Sequence, residues 1–221
     1  MAGSTILTRM RDKILSPDRF LKQVRGVIHV GANRGQERYL YAVYGLQVVW
    51  IEPNPSVFER LKQNLIDFPK QAAYQRLVAA EDGVRLTLHI SNNDGESSSI
   101  LELAEHRSIW PEVVFTDSID LEAVTLPTLL REEHIDLASF DALVLDTQGS
   151  ELLILQGAAD LLSGFRFIKT EVADFESYAG GCQLPELDAF LTGHGFKRKR
   201  TDEFAKSPKG GKYYDVLYQR R

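Results

Sequence analysis

The sequence predicts a mostly parallel, doubly wound α/β sheet with helices on both faces, and three observations carry that prediction. Val27-Ile28-His29-Val30 reads as a buried strand that ends in a glycine-punctuated turn, Gly31-Ala32-Asn33-Arg34-Gly35, and passes straight into a helix. A second apolar run, Val48-Val49-Trp50-Ile51, ends on an acid, Glu52, 21 positions after Gly31. Apolar strand-like runs then alternate with helical periodicity along the rest of the chain. Strand, glycine turn, helix, strand, acid is how open α/β sheets hold a nucleoside cofactor: glycines let backbone approach the ligand, and the carboxylate accepts hydrogen bonds from ribose hydroxyls.

Residues 1–24 are mixed and charged and read as a helical extension ahead of one domain over 25–221. A helix over 36–44 stops at Gly45. Asn54 is a natural N-cap and Pro55 a natural first helical residue, and Phe58, Leu61, Leu65 and Phe68 recur at helical spacing up to Pro69. A third strand is expected over 74–80, then the turn Glu81-Asp82-Gly83. Val84, Leu86, Leu88 and Ile90 alternate with polar residues, the pattern of a half-buried antiparallel strand. Residues 91–99 form a polar loop, 112–124 hold another strand and 126–133 a short helix. The apolar run 140–145 ends at Asp146 and leads through Thr147-Gln148-Gly149-Ser150 into a helix over 151–162. A strand over 167–172, a helix over 185–194 and two final strands near 196–199 and 213–218 complete the chain, the last two as an antiparallel pair suited to a sheet edge.

Composition narrows the class. At 221 residues, 43% hydrophobic and 26% charged, the chain has the balance of an ordinary globular domain with a full core. A net charge of −5 argues against a nucleic-acid partner, and the one basic run, Lys197-Arg198-Lys199-Arg200, reads as a solvated strand end. No window approaches a membrane span and no signal-peptide pattern opens the chain, so the expectation is a cytoplasmic protein without a membrane partner. The single cysteine, Cys182, excludes an intramolecular disulfide and reads as a loop thiol.

The glycine turn also discriminates between ligands. A dinucleotide fingerprint puts glycine where this chain has Asn33, the point at which a pyrophosphate needs the closest backbone approach. Asparagine tolerates a left-handed backbone, so the turn itself survives. A cofactor without a phosphate, such as S-adenosylmethionine, fits better than NAD. A nicotinamide-dependent oxidoreductase and a non-catalytic cofactor-binding domain remain the alternatives.

His29-Val30-Gly31-Ala32-Asn33-Arg34-Gly35-Gln36, then Ile51-Glu52-Pro53-Asn54-Pro55, then Asp146-Thr147-Gln148-Gly149-Ser150-Glu151 with Leu155-Gln156-Gly157-Ala158, resembles the FkbM-type S-adenosylmethionine-dependent methyltransferases. The resemblance runs from about Val27 to Phe196 with the motifs in the family's order. It implies the class I methyltransferase fold, a Rossmann-like seven-stranded sheet, mostly parallel with an antiparallel edge strand. It also implies methyl transfer to a hydroxyl of a sugar or natural product. Gly31, Asn33 and Gly35 would form the cofactor turn, Glu52 would hold the ribose, and the turn at Ala80, Glu81 and Asp82 would approach the adenine. Asp146 would face the reactive end of the pocket. Two positions depart from the pattern: His29 stands where methyltransferases commonly carry an acid, and Gln148 where the family frequently carries a glutamate. His29 is read as a cofactor-pocket residue, with a satisfied buried histidine as the alternative.

An aliphatic hydroxyl is a poor nucleophile, so methyl transfer to it gains from a general base as well as from alignment. Asp146 and Glu171 both end expected parallel strands, at the edge where such sheets bind ligands, and are the candidate catalytic carboxylates. A helix cap is the competing role for Asp146, and a cap beside Pro53 for Glu52. No third oxygen ligand stands at an obvious spacing from Asp146 and Glu171, so no metal is assigned. Trp110 and Tyr178 read as packing residues near the acceptor side. The acceptor, a small molecule or glycan, and the oligomeric state are left unspecified.

Overall fold

A computed structural model describes residues 18–221. The leading helix expected over 1–24 therefore lies largely outside the described residues, and its described end is a short 3-10 turn, Arg19–Gln23. The strands in chain order are β1 (Gly26–Val30), β2 (Gln47–Ile51), β3 (Gln71–Tyr74), β4 (Leu77–Val78), β5 (Arg85–Ser91), β6 (Phe115–Val124), β7 (Ala142–Leu145), β8 (Phe167–Ala173), β9 (Phe196–Lys206) and β10 (Lys212–Arg220). The α-helices are α1 (Arg38–Val43), α2 (Pro55–Asn64), α3 (Leu126–Glu132), α4 (Glu151–Gly157) and α5 (Leu184–Gly193).

Among the described residues, seven strands form one sheet in the order β3-β2-β1-β7-β8-β10-β9. Neighbours from β3 to β8 pair in parallel, and β10 runs antiparallel to both β8 and β9. The expected antiparallel pair does close the sheet, but the strand that opposes the rest is β10, one in from the edge, and the edge itself is β9. The hairpin through Ser207 and Gly211 lets β10 return between β8 and β9, with its bonds to β8 running from Tyr213 opposite Ala173 to Gln219 opposite Phe167.

Side-chain alternation divides the interior into two layers. Ile28, Val30, Leu143, Leu145, Ile168 and Val216 face α3, α4 and α5. Val27, Val48, Trp50, Ala142, Val144 and Phe167 face α1, α2 and the 3-10 turn that carries Phe20 and Leu21. The strand expected over 74–80 is interrupted at Gln75 and Arg76. Its first part joins the main sheet, and its second part, β4, pairs with β6 in a separate three-stranded sheet with β5. The Asn54 side chain accepts from the backbone of Ser56 and caps α2, with Pro55 as its first residue.

Candidate active site

A cavity of about 330 Å³ opens at the carboxyl ends of β1, β2 and β7, where open α/β sheets bind ligands. The glycine turn forms one wall. Gly31 has φ +81°, and a Cβ there would lie 1.8 Å from the Asp146 carbonyl oxygen, so no other residue lets the turn pass this close to the end of β7. Asn33 adopts φ 42°, the left-handed conformation its position demands.

Glu52 sits at the end of β2, only 7% exposed, and ties the two motifs together. Its Oε2 accepts from the Asn33 N–H at 2.9 Å and its Oε1 from the Asn54 N–H at 2.9 Å. Burial outweighs both hydrogen bonds and raises its pKa to about 7. Each oxygen retains a lone pair toward the cavity that Glu52 lines.

Asp146 and Glu171 meet at the opposite end of the cavity. Asp146 opens to the cavity floor, yet the surrounding protein and the charges of Glu151, Glu37 and Asp215 raise its pKa to about 7, against a hydrogen bond from Gln148. Glu171 is pushed well above the usual carboxylate range by burial and then by Asp146, Asp215 and Glu151. Carboxylates crowded this way hold a proton near neutral pH and, once ionised, can accept another group's proton. Gln148 Nε2 donates to Asp146 Oδ1 at 2.7 Å, and the hydroxyl of the fully buried Tyr178 donates to Gln148 Oε1 at 2.8 Å, which fixes the amide. Gln148 itself has φ 56°, strain of the kind that concentrates at functional sites. Beneath it, Glu151 accepts from Thr147 N–H at 2.9 Å and Gly149 N–H at 3.0 Å and sets the loop.

Gly31, Asn33, Glu52, Asp146 and Glu171 are thus brought together around one cavity. Four other expected cofactor residues are not. His29 points to the other face of β1, stacked on Trp50 at 4.8 Å with Nδ1 3.1 Å from the Tyr41 hydroxyl. Gly35 packs toward Leu61, where a Cβ would come within 2.8 Å of Cδ1. Ala80 lies against α4: Gly157 lets the helix close on the Ala79 and Ala80 carbonyls, 2.7 and 2.8 Å from where its Cβ would stand. Asp82 accepts from Thr125 N–H at 2.6 Å and Thr128 Oγ1 at 2.7 Å, so its carboxylate serves the start of α3. Cys182 lies in the loop before α5, as expected, and is buried there, with Sγ 3.5 Å from Glu151 Oε2.

Sequence reasoning missed the apolar wall of the cavity, made by Leu77, Val78, Leu88 and Ile100, and the polar rim at Gln36 and Arg76. The inward alternation of Leu88 in β5 was the available signal. The polar loop after β5 is a clasp over the glycine turn: Arg34 reaches Asp94 at 3.5 Å and Glu96 at 3.3 Å, Arg60 reaches Asp94 at 3.2 Å, and Asn33 Nδ2 donates to the Asp94 carbonyl at 3.3 Å.

Residues 29–198 match the methyltransferase FkbM domain. The chain is 29% identical over 167 residues to the 2-O-methyltransferase NoeI of Sinorhizobium fredii (strain NBRC 101917 / NGR234), covering 72% of this chain and 67% of that protein. Its fold is similar to that of magnesium protoporphyrin IX methyltransferase from Synechocystis PCC 6803, solved with bound SAM, at a TM-score of 0.50 and 11% identity over 98% of this chain and 82% of the other. It is also similar to a Streptococcus pneumoniae protein described as a candidate tRNA (m1A22) methyltransferase in complex with S-adenosyl-L-methionine. There the TM-score is 0.53 and the identity 10%, over 96% of this chain and 72% of the other.

Proposed function

The chain belongs to the FkbM methyltransferase family and is an S-adenosylmethionine-dependent enzyme, and on that premise we propose that its acceptor is a hydroxyl oxygen of a sugar or related natural product. The family sets aside the nicotinamide-dependent and non-catalytic alternatives. The observation that carries the proposal is the pair of proton-holding carboxylates, Asp146 and Glu171, at one end of a cavity whose other features suit an adenosine. A relative named as a 2-O-methyltransferase supports oxygen as the acceptor atom.

The residues present fit the cofactor. Leu77, Val78, Leu88 and Ile100 give an apolar bed for the adenine, Glu52 gives acceptor oxygens for the ribose hydroxyls, and the turn at Gly31 and Asn33 gives close backbone approach for the methionine portion. When bound, S-adenosylmethionine supplies a sulfonium-activated methyl: the methyl–sulfur bond breaks as the oxygen–methyl bond forms, and S-adenosylhomocysteine leaves with the sulfur's electron pair. The protein's part is alignment and proton removal. In its ionised form Asp146, paired with Glu171, takes the hydroxyl proton as the nucleophile attacks, while Gln148 keeps the carboxylate aimed. The ion pairs of Arg34 and Arg60 hold the loop after β5 against the glycine turn that borders the site.

Incubation with S-adenosylmethionine labelled in the methyl and a panel of methyl glycosides that includes 2-amino and uronate members tests this. Label recovered as an alkali-stable methyl ether is the expected result. Label in an alkali-labile ester, or on an amine, contradicts it.

A further inference from the structure

We propose that the methyl acceptor sits in a second cavity on the α1 face of the sheet, and that this cavity selects a neutral or cationic polyhydroxyl group over an anionic one. The proposal rests on the sugar-hydroxyl reading above and adds where that group binds and what charge it carries.

The second cavity measures about 210 Å³. It shares two lining residues with the cofactor cavity, Asp146 and Glu171, and no others. In-line displacement requires the incoming oxygen and the departing sulfur on opposite sides of the transferred carbon. A space that borders the cofactor cavity at the two carboxylates is placed for such an approach and puts a base at the boundary. Its volume lies below the roughly 300–1,000 Å³ of drug-sized ligand pockets, so it takes one small ring or the end of a longer chain.

The lining has the chemistry of a polyol site. Lys169 Nζ stands 3.3 Å from Asp18 Oδ1 and 3.7 Å from Asp215 Oδ1, so donors and acceptors alternate along the β8 side. Phe20 and Tyr41 supply aromatic surface for a ring. His29, 5% exposed, lines the same space; its Nδ1 is engaged by Tyr41, and its other ring nitrogen has no partner among the described residues. Burial keeps that imidazole neutral, its pKa lowered to about 3, so it can give or take one hydrogen bond without adding charge. Asp18 and Asp215 outnumber Lys169 among the described lining residues, and Asp146 and Glu171 add negative charge whenever either ionises. A phosphate or uronate would enter a field of its own sign. Stability gives little reason to bury Lys169 between two acids, since apolar packing usually serves as well.

The rival occupant is the amino-acid end of the cofactor, its carboxylate on Lys169 and its ammonium on the acids. A crystal structure with S-adenosylhomocysteine decides between them without any acceptor in hand. The proposal expects the homocysteine end beside Gly31 and Asn33, with the second cavity free of cofactor atoms; a homocysteine carboxylate on Lys169 overturns it. Lys169→Met and Asp215→Asn, both checked for native melting, should bind S-adenosylhomocysteine within about twofold of the parent while KM for a methyl glycoside rises roughly tenfold or more with a smaller change in kcat. Cofactor affinity falling about tenfold in both overturns the proposal. Neutral and 2-amino methyl glycosides should be methylated ahead of the matching uronate and 6-phosphate, and the reverse order overturns the charge selection. If no sugar is methylated although the second cavity stays free of cofactor, the sugar reading fails and the cavity assignment stands.

Discussion

The Asp146 carboxylate is held by the Gln148 amide, crowded by other acids and carries a pKa raised to about 7, so its working form is set by pH in the neutral range. A general base must be ionised to act, and kcat/KM should therefore climb with pH and level off above about 7. A profile that falls over that range contradicts the role. Asp146→Asn keeps the shape and removes the base, and should lower kcat by roughly 10²–10⁴-fold with little change in S-adenosylhomocysteine affinity, read by steady-state kinetics and calorimetry. Equal losses in both would move Asp146 to the cofactor. Gln148→Glu replaces a hydrogen-bond donor to Asp146 with another acid beside Asp146 and Glu171. The rising limb of the profile should shift to higher pH in that variant.

The turn of Glu81, Asp82 and Gly83 serves α3, where Asp82 receives the Thr125 N–H and the Thr128 hydroxyl. Asp82→Ala should cost about 0.5–2 kcal/mol in thermal unfolding, as loss of a helix-start acceptor does, and leave cofactor affinity unchanged. The family resemblance alone ties this turn to the adenine, and an acid after a strand reads the same whether it faces a ligand or a helix start. His29 escaped for another reason. β1 is buried on both faces, so the alternation of Val27 and His29 with Ile28 and Val30 carries no polar mark of which face meets the ligand. Gly31, Asn33 and Glu52 were legible because their chemistry is local: a positive φ, a close approach and an acid at a strand end. The apolar bed was not, since Leu77, Val78, Leu88 and Ile100 come from β4, β5 and the loop beyond, joined only by the second sheet. The break at Gln75 and Arg76 that frees β4 from the main sheet lies inside what reads as one strand.

At the scale of the molecule, acids with raised pKa values make stability depend on pH. Glu52 and Asp146 titrate near 7 when folded against 4.5 and 3.8 ordinarily, and Glu151 and Glu171 shift the same way, so the folded state keeps protons that the unfolded chain releases. Their contribution is full below the unfolded values and is lost as pH rises toward the folded ones. His29 and His106, lowered to about 3 and about 4, oppose this mainly below pH 6.5. The protein without cofactor should therefore melt at a higher temperature at about pH 6 than at about pH 8; the opposite order contradicts the burial described here. No helix among the described residues is long and apolar enough to cross a membrane. The two layers of the core meet the sheet on opposite faces, and the cavity beside Gly31 and the second cavity share Asp146, just after β7, and Glu171, in β8, as lining residues. If Glu52 holds the cofactor in the first of these cavities, calorimetric titration of S-adenosylhomocysteine into the parent protein, Glu52→Gln and Asp82→Ala will register it. One-to-one binding should weaken roughly 10–100-fold in Glu52→Gln and be unchanged in Asp82→Ala. Unchanged affinity in a folded Glu52→Gln, or a comparable loss in Asp82→Ala, would contradict it.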